Sequence, residues 1–203
     1  LKLNDDYRAQ MFRYTNSFKE ARFLRAYFYF NLVRAYGDVP YFTEMVTTDQ
    51  VNSLTRTPAQ EIFNAIIAEC DKLSTELPAD YTKLGLDGIA PAENGRVTCY
   101  AALALKARAA LYAASPLFNP ENNKDLWRRA AEANKEVIET CTANGFKLSK
   151  YSELWGPNNW SNNEMIFVRR YNGNISTLEE YNFPMGVPGG NSGNCPTQNM
   201  VDA

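Results

Sequence analysis

The residues best suited to chemistry lie in one stretch, Tyr151-Ser152-Glu153-Leu154-Trp155-Gly156-Pro157-Asn158-Asn159-Trp160-Ser161-Asn162-Asn163. Tryptophan and tyrosine rings stack on the apolar faces of sugars, and asparagine amides both donate to and accept from hydroxyls. The bland alternative is that Trp155 and Trp160 only plug a junction between a helix and a strand. Acidic residues stand nearby, Glu153, Glu164 and the pair Glu179-Glu180. Two carboxylates on either side of a glycosidic bond are what glycoside hydrolysis requires, but sequence spacing brings no two of these face to face. Gly186-Val187-Pro188-Gly189-Gly190-Asn191-Ser192-Gly193 has the glycine density of a phosphate-binding loop. It lacks the preceding strand, the following helix and the Gly-Lys-Ser/Thr ending that such a loop needs.

Composition removes support from other chemistries. There is no histidine, and with it go the commonest general base, the commonest metal ligand and the usual partner of a catalytic Ser or Cys. Cys70, Cys99, Cys141 and Cys195 are widely separated with no C-x-x-C pair, so neither a zinc site nor a redox motif is indicated. Cys70 and Cys99 fall inside helical patterns and read as small buried hydrophobes; the pairing of the four thiols is left open. No cofactor, metal site or catalytic constellation is expected. The 21 basic and 23 acidic residues balance, without the basic stripe that phosphate contacts demand, so nucleic acid is not an expected partner. Arg128-Arg129 and Arg169-Arg170 read as ordinary surface pairs. No run of 18 or more apolar residues exists to span a membrane as a helix. No signal peptide is visible, and the chain opens on Leu1 and stops at Ala203, so both ends read as cuts through a longer protein.

Four helices must position these residues. The first is expected from about Ser17 to Tyr36, with Phe23, Tyr27 and Phe30 at helical spacing and Leu24 and Phe28 beside them. Lys19, Arg22 and Arg25 leave only a narrow polar face, which predicts burial on several sides. Gly37 suits the left-handed residue that ends a helix, and Pro40 blocks its continuation. The second begins at Thr57-Pro58-Ala59-Gln60, read as N-cap, first-position proline and capping-box glutamine, and Pro78 stops it. The third spans about Arg96 to Ser115 and is rich in alanine, which lets neighbours approach closely. The fourth runs from about Asp125 to Thr142. Small residues facing aromatics, with prolines after helix ends, fit degenerate tetratricopeptide-like hairpins without a strict repeat; a plain helical bundle is the alternative. After Asn144-Gly145 the character changes. Glu164-Met165-Ile166-Phe167-Val168 reads as a short strand, and 171–198 as a long Asn/Gly/Pro/Ser loop.

Several segments, in order, resemble one family. Glu20-Ala21-Arg22-Phe23-Leu24-Arg25-Ala26-Tyr27-Phe28-Tyr29-Phe30-Asn31-Leu32-Val33-Arg34-Ala35-Tyr36-Gly37-Asp38-Val39-Pro40 is similar to the signature helix of SusD/RagB-type nutrient-binding outer-membrane lipoproteins of Bacteroidetes. Arg96-Val97-Thr98 through Ser115-Pro116-Leu117-Phe118-Asn119, then Asn163-Glu164-Met165-Ile166-Phe167, then Pro196-Thr197-Gln198-Asn199-Met200-Val201-Asp202-Ala203 resemble later motifs of that family. The resemblance implies an all-α, tetratricopeptide-like superhelix with irregular loops and a short strand in the C-terminal third. The helical scaffold is expected over 1–145. A loop-rich ligand-binding region, continuous with the same domain, is expected over 146–203, and the family is typically much longer than this chain. It implies non-catalytic capture of an oligosaccharide or polysaccharide at the cell surface. A SusC-like TonB-dependent transporter is the implied partner, and a lipid anchor outside this sequence the only membrane attachment. A protein-interaction scaffold or peptide-binding lid of the same kind of complex is the alternative. The family's sugar-contacting aromatics follow no fixed motif. Trp155 and Trp160, joined by Tyr171 and Tyr181 between the later motifs, are therefore the candidate substrate-binding residues, and the aromatics of the first helix are assigned to the core.

Overall fold

The structure is a computed structural model and describes residues 5–84, 95–154, 162–168, 181–193 and 200. The chain forms two compact units, 1–168 and 169–203.

In the first unit the helices are α1 (Asp5–Tyr36), α2 (Thr48–Val51), α3 (Ala59–Glu76), α4 (Cys99–Ala114), α5 (Lys124–Ala143) and α6 (Tyr151–Leu154). The four long ones pack in chain order, α1 on α3, α3 on α4 and α4 on α5. Side-chain ties fix them as antiparallel neighbours. Asp38, just past the end of α1, reaches the start of α3 at Ala59, whereas Lys19 and Arg22 meet Glu76 at its end. Gln60 at the start of α3 reaches the end of α4, and Tyr100 at the start of α4 packs edge-on against Phe146 just beyond α5. The result is two helical hairpins side by side, the all-α tetratricopeptide-like array that the small-residue pattern predicts. Helix α4 is the central member. Its alanines at 101, 102, 107, 109, 110, 113 and 114 are all buried, which lets α3 and α5 close on both sides of it. Phe23, Phe30, Ile62, Phe63, Ile66 and Leu73 fill the rest of the core, each contributing roughly 1.5–3 kcal/mol by leaving water.

Four local expectations need correction. Helix α1 starts at Asp5, well before Ser17. Thr15 Oγ1 donates to Met11 O and Ser17 Oγ to Arg13 O, back-bonds that let these polar residues sit inside the helix and not at its start. The helix is also not buried all round. Ala9, Phe23, Ala26, Phe30 and Val33 are buried, whereas Leu24, Phe28, Leu32 and Tyr36 are exposed. The reason is topological: α3 covers one side, with only a lesser contribution from α4.

At the second helix, Thr57-Pro58-Ala59-Gln60 does not form the expected cap. Pro58 occupies the N-cap without a side-chain bond, and the Thr57 amide pairs with Val39 O at 2.9 Å. The cap comes instead from Asp38, whose Oδ1 accepts from Ala59 N at 2.8 Å. Gln60, freed from capping, donates to Ala113 O and Phe118 O, both at 2.7 Å. Gly37 does take the left-handed conformation, φ 70°, and its amide closes on Val33 O.

The segment 164–168 is turn and bend rather than strand. One backbone bond joins Lys147 N to Asn163 O, and Met165 N turns back to Asn162 O; among the described residues no neighbouring ladder offers the partners a strand needs. Its hydrophobic residue has another use, since the Phe167 ring meets Phe23 edge-on at 5.5 Å. Among the described residues, β-pairing is confined to the isolated bridges Val39–Thr57 and Met185–Val187.

Candidate functional site

Trp155, Trp160 and Tyr171 lie outside the described residues. The stems on either side of the two tryptophans are described, and they are fastened together. Ser149 N donates to Glu164 Oε2 at 2.8 Å, Ser149 Oγ to Asn162 Oδ1 at 2.6 Å, and Glu164 N to the same Asn162 oxygen at 2.8 Å. Glu164 is thereby engaged in holding backbone, and the Asn162 side-chain oxygen is engaged in the clasp.

Tyr181 belongs to the second unit, in a compact loop at 181–193. Gly193 N donates to Tyr181 O at 2.6 Å, Ser192 N to Phe183 O at 2.8 Å and Gly190 N to Val187 O at 2.8 Å. The glycine-rich run, with no features of a nucleotide cradle, is explained by this turn. Gly186 and Gly189 have φ of 108° and 84°, where other residues are strained. A Cβ on Gly190 would collide with the carbonyl of Pro184, and one on Gly193 with the Tyr181 ring. Tyr181 rests on Gly193 and still exposes 53% of its surface; Phe183 and Met185 are exposed beside it in sequence. No periodicity points to those two, because the loop's shape depends on bonds between its ends.

A part-buried polar cluster lies elsewhere, around Glu20. Glu20 Oε1 accepts from Asn16 Nδ2 at 2.8 Å, Tyr81 OH at 3.1 Å and Arg96 Nε at 2.7 Å, and its second oxygen takes Arg96 Nη2 at 2.7 Å. The Tyr81 hydroxyl also reaches Val97 O at 2.8 Å. Burial, then the Glu20 carboxylate, push the Tyr81 phenol well above its usual pKa despite the Asn16 bond. With both carboxylate oxygens engaged, this cluster is a tie between α1 and the approach to α4. Cys70 is buried, with its thiol pushed up to about 12 by desolvation, which makes it unreactive; Cys99 is only half-buried. No group of three potential metal-ligating side chains occurs among the described residues, and among them no helix is long and apolar enough to cross a membrane.

These features define a class: an all-α array of hairpins with side-chain-locked corners. Residues 2–111 match a SusD-like family model described as starch-binding, associating with the outer membrane, and the chain belongs to that family. A SusD-like protein of Formosa agariphila is 25% identical over 149 residues, covering 73% of this chain and 24% of that protein. A SusD-like carbohydrate-binding protein of Bacteroides fragilis, of known crystal structure, is 28% identical with a TM-score of 0.63, over 80% of this chain and 29% of its own. Surface glycan-binding protein A of Bacteroides fluxus is 28% identical with a TM-score of 0.52, over 73% of this chain and 28% of its own. The chain thus spans about a quarter of the length of the curated relatives it matches.

Proposed function

We propose that this chain is part of a cell-surface glycan-binding protein that captures oligosaccharides for import through a SusC-like TonB-dependent transporter. The observation that carries this reading is the family match over residues 2–111. It is supported by relatives named for carbohydrate binding and by the exposed Tyr181 ring on its tight loop. In this reading 1–145 is scaffold and 146–203 carries the ligand-binding loops, attachment to the outer membrane is through a lipid anchor outside these residues, and no bond is made or broken. Trp155, Trp160, Tyr171 and Tyr181 are the stacking residues. Replacing all four by alanine in the full-length protein is expected to abolish retention in glycan affinity electrophoresis, because ring stacking supplies most of the contact area in such sites. Retention unchanged by the quadruple substitution would sink this site assignment.

A second reading, a protein-interaction scaffold without a sugar site in these residues, draws on one observation. Tyr7, Met11, Tyr14 and Phe18, then Phe28 and Leu32, follow steps of four and three residues along α1, and all six are exposed. That spacing is the seam a second helix packs into. Co-purification with a barrel transporter, alongside no response to any glycan, would favour this reading over the first.

A further inference from the structure

We infer that the loop following the α1 corner is a second carbohydrate-contact surface, a shallow saucer for a neutral sugar unit built on the Phe42 ring. The inference rests on the glycan ligand proposed above and adds a contact place to it. The saucer holds about 430 Å³ and is lined by Phe42, Thr43, Glu44, Met45, Gln50 and Ser53, among others. That is at the lower end of small-ligand sites, roughly 300–1,000 Å³, and suits a mono- or disaccharide.

Its floor is pinned from below. The Tyr29 hydroxyl accepts from Phe42 N and donates to Phe42 O, both at 3.1 Å, and Arg25 Nη1 donates to Thr43 O at 2.9 Å. The Tyr29 ring meets Phe42 edge-on at 6.3 Å. At the far wall, Gln50 Oε1 accepts from Thr47 N at 3.0 Å, and Ser53 Oγ donates to Gln50 O at 2.8 Å. A loop held at both ends loses little freedom on binding.

The polar groups left over match a sugar. Among the described residues nothing pairs with the Glu44 carboxylate, the Gln50 amide nitrogen or the Thr43 hydroxyl. Phe42 keeps 42% of its surface exposed. An aromatic face beside an acceptor-only carboxylate, a free amide donor and a hydroxyl is complementary to a pyranose, which offers an apolar face ringed by groups that donate and accept. Charge narrows the class further. Arg25, which bonds this loop, is engaged by Thr43 O and, at 3.8 Å, by Glu69, and among the described residues no ion pair reaches Glu44. An uncompensated Glu44 therefore favours neutral over uronic or sulfated sugars.

The test uses the full-length protein and a neutral oligosaccharide on which the wild type is retained in affinity electrophoresis. Calorimetric titration of Phe42→Ala is expected to show affinity weakened roughly three- to ten-fold, the range of a lost aromatic stacking contact. Glu44→Gln, fully compatible with the fold because that side chain is exposed and unpaired, is expected to weaken neutral-sugar binding and to narrow the preference over an acidic sugar of the same length. Unchanged affinity in both variants, with the Trp155, Trp160, Tyr171 and Tyr181 quadruple variant still abolishing retention, would overturn the saucer and leave the glycan reading standing. A wild type that binds no glycan would remove both.

Discussion

The corners of the helical array and the loop at 181–193 spend their side chains in opposite ways. At the corners, polar side chains are consumed by the fold. Asp38 caps α3, Gln60 ties α3 to the end of α4, and buried Asn119 brackets Asn123 through both its amide groups. In the 181–193 loop the backbone bonds mainly to itself, and the rings of Tyr181 and Phe183 are left substantially exposed. The segments that carry the family resemblance, Gly37-Asp38-Val39-Pro40 and Ser115-Pro116-Leu117-Phe118-Asn119, are therefore corner devices. Residues that make a chain recognisable are not available to a ligand when the same atoms hold its helices together.

The sharpest way to break this contrast is a pair of truncations. Phe63 is fully buried and meets Phe118 at 5.0 Å, so Phe63→Ala is expected to cost about 3–5 kcal/mol in urea denaturation. Tyr181→Ala, at an exposed ring, is expected to change stability by less than about 0.5 kcal/mol. A Tyr181 variant as unstable as the Phe63 variant would end the division between structural and available aromatics.

A smaller effect sharpens the corner side of the comparison. Removing Arg96 leaves the Glu20 carboxylate with Asn16 and Tyr81 as neutral partners and no facing cation in its bidentate position. Arg96→Met is expected to cost about 2–3 kcal/mol by denaturation, largely the penalty of a part-buried charge left unmatched. Adding Glu20→Gln should recover part of that loss, since the neutral amide has no charge to strand. No recovery would mean that Arg96 acts through packing alone.

Much of the fold was legible because helices repeat their core contacts with a fixed period and stop at glycine and proline. All four long helices, the left-handed Gly37 and the alanine-lined α4 follow from that logic. What escaped it depends on partners distant in sequence. Asp38 caps a helix 21 residues on, which local capping rules assign to Thr57. The polar run Thr15-Asn16-Ser17 looks like a start until Asn16 is seen to bond Tyr81, 65 residues away. Phe167 carries the composition of a strand, but the surface it finds is the Phe23 ring. The candidate site was less legible still. Aromatic and asparagine content pointed to 151–163 and the family resemblance to Tyr171 and Tyr181, while Phe42 and Glu44 belong to no pattern. Their arrangement is set by the Tyr29 hydroxyl and Arg25 on a neighbouring helix.

The mildest prediction concerns acid. Arg22 bridges α1 to α3 through Glu69 and Glu76, at 2.6 Å each, and the Arg22 hydrogen bond holds the Glu69 carboxyl below its usual pKa of 4.5 even though burial opposes this. A depressed carboxyl contributes stability that is fully present above its unfolded pKa and is lost as pH falls through the lower folded value. The array should therefore lose roughly 1 kcal/mol from this pair below about pH 4.5, a figure kept small because the pair is only partly shielded from solvent. Glu69→Gln removes the titrating group, so its urea midpoint should fall less steeply than that of the wild type over the same acid range. Because Glu69 lies on α3 and not in 181–193, that difference should appear in the cooperative unfolding of the helices. Identical acid slopes in wild type and variant would show that the Glu69 leg of the Arg22 bridge adds nothing to the array, whatever Glu76 contributes on the other side of the same guanidinium.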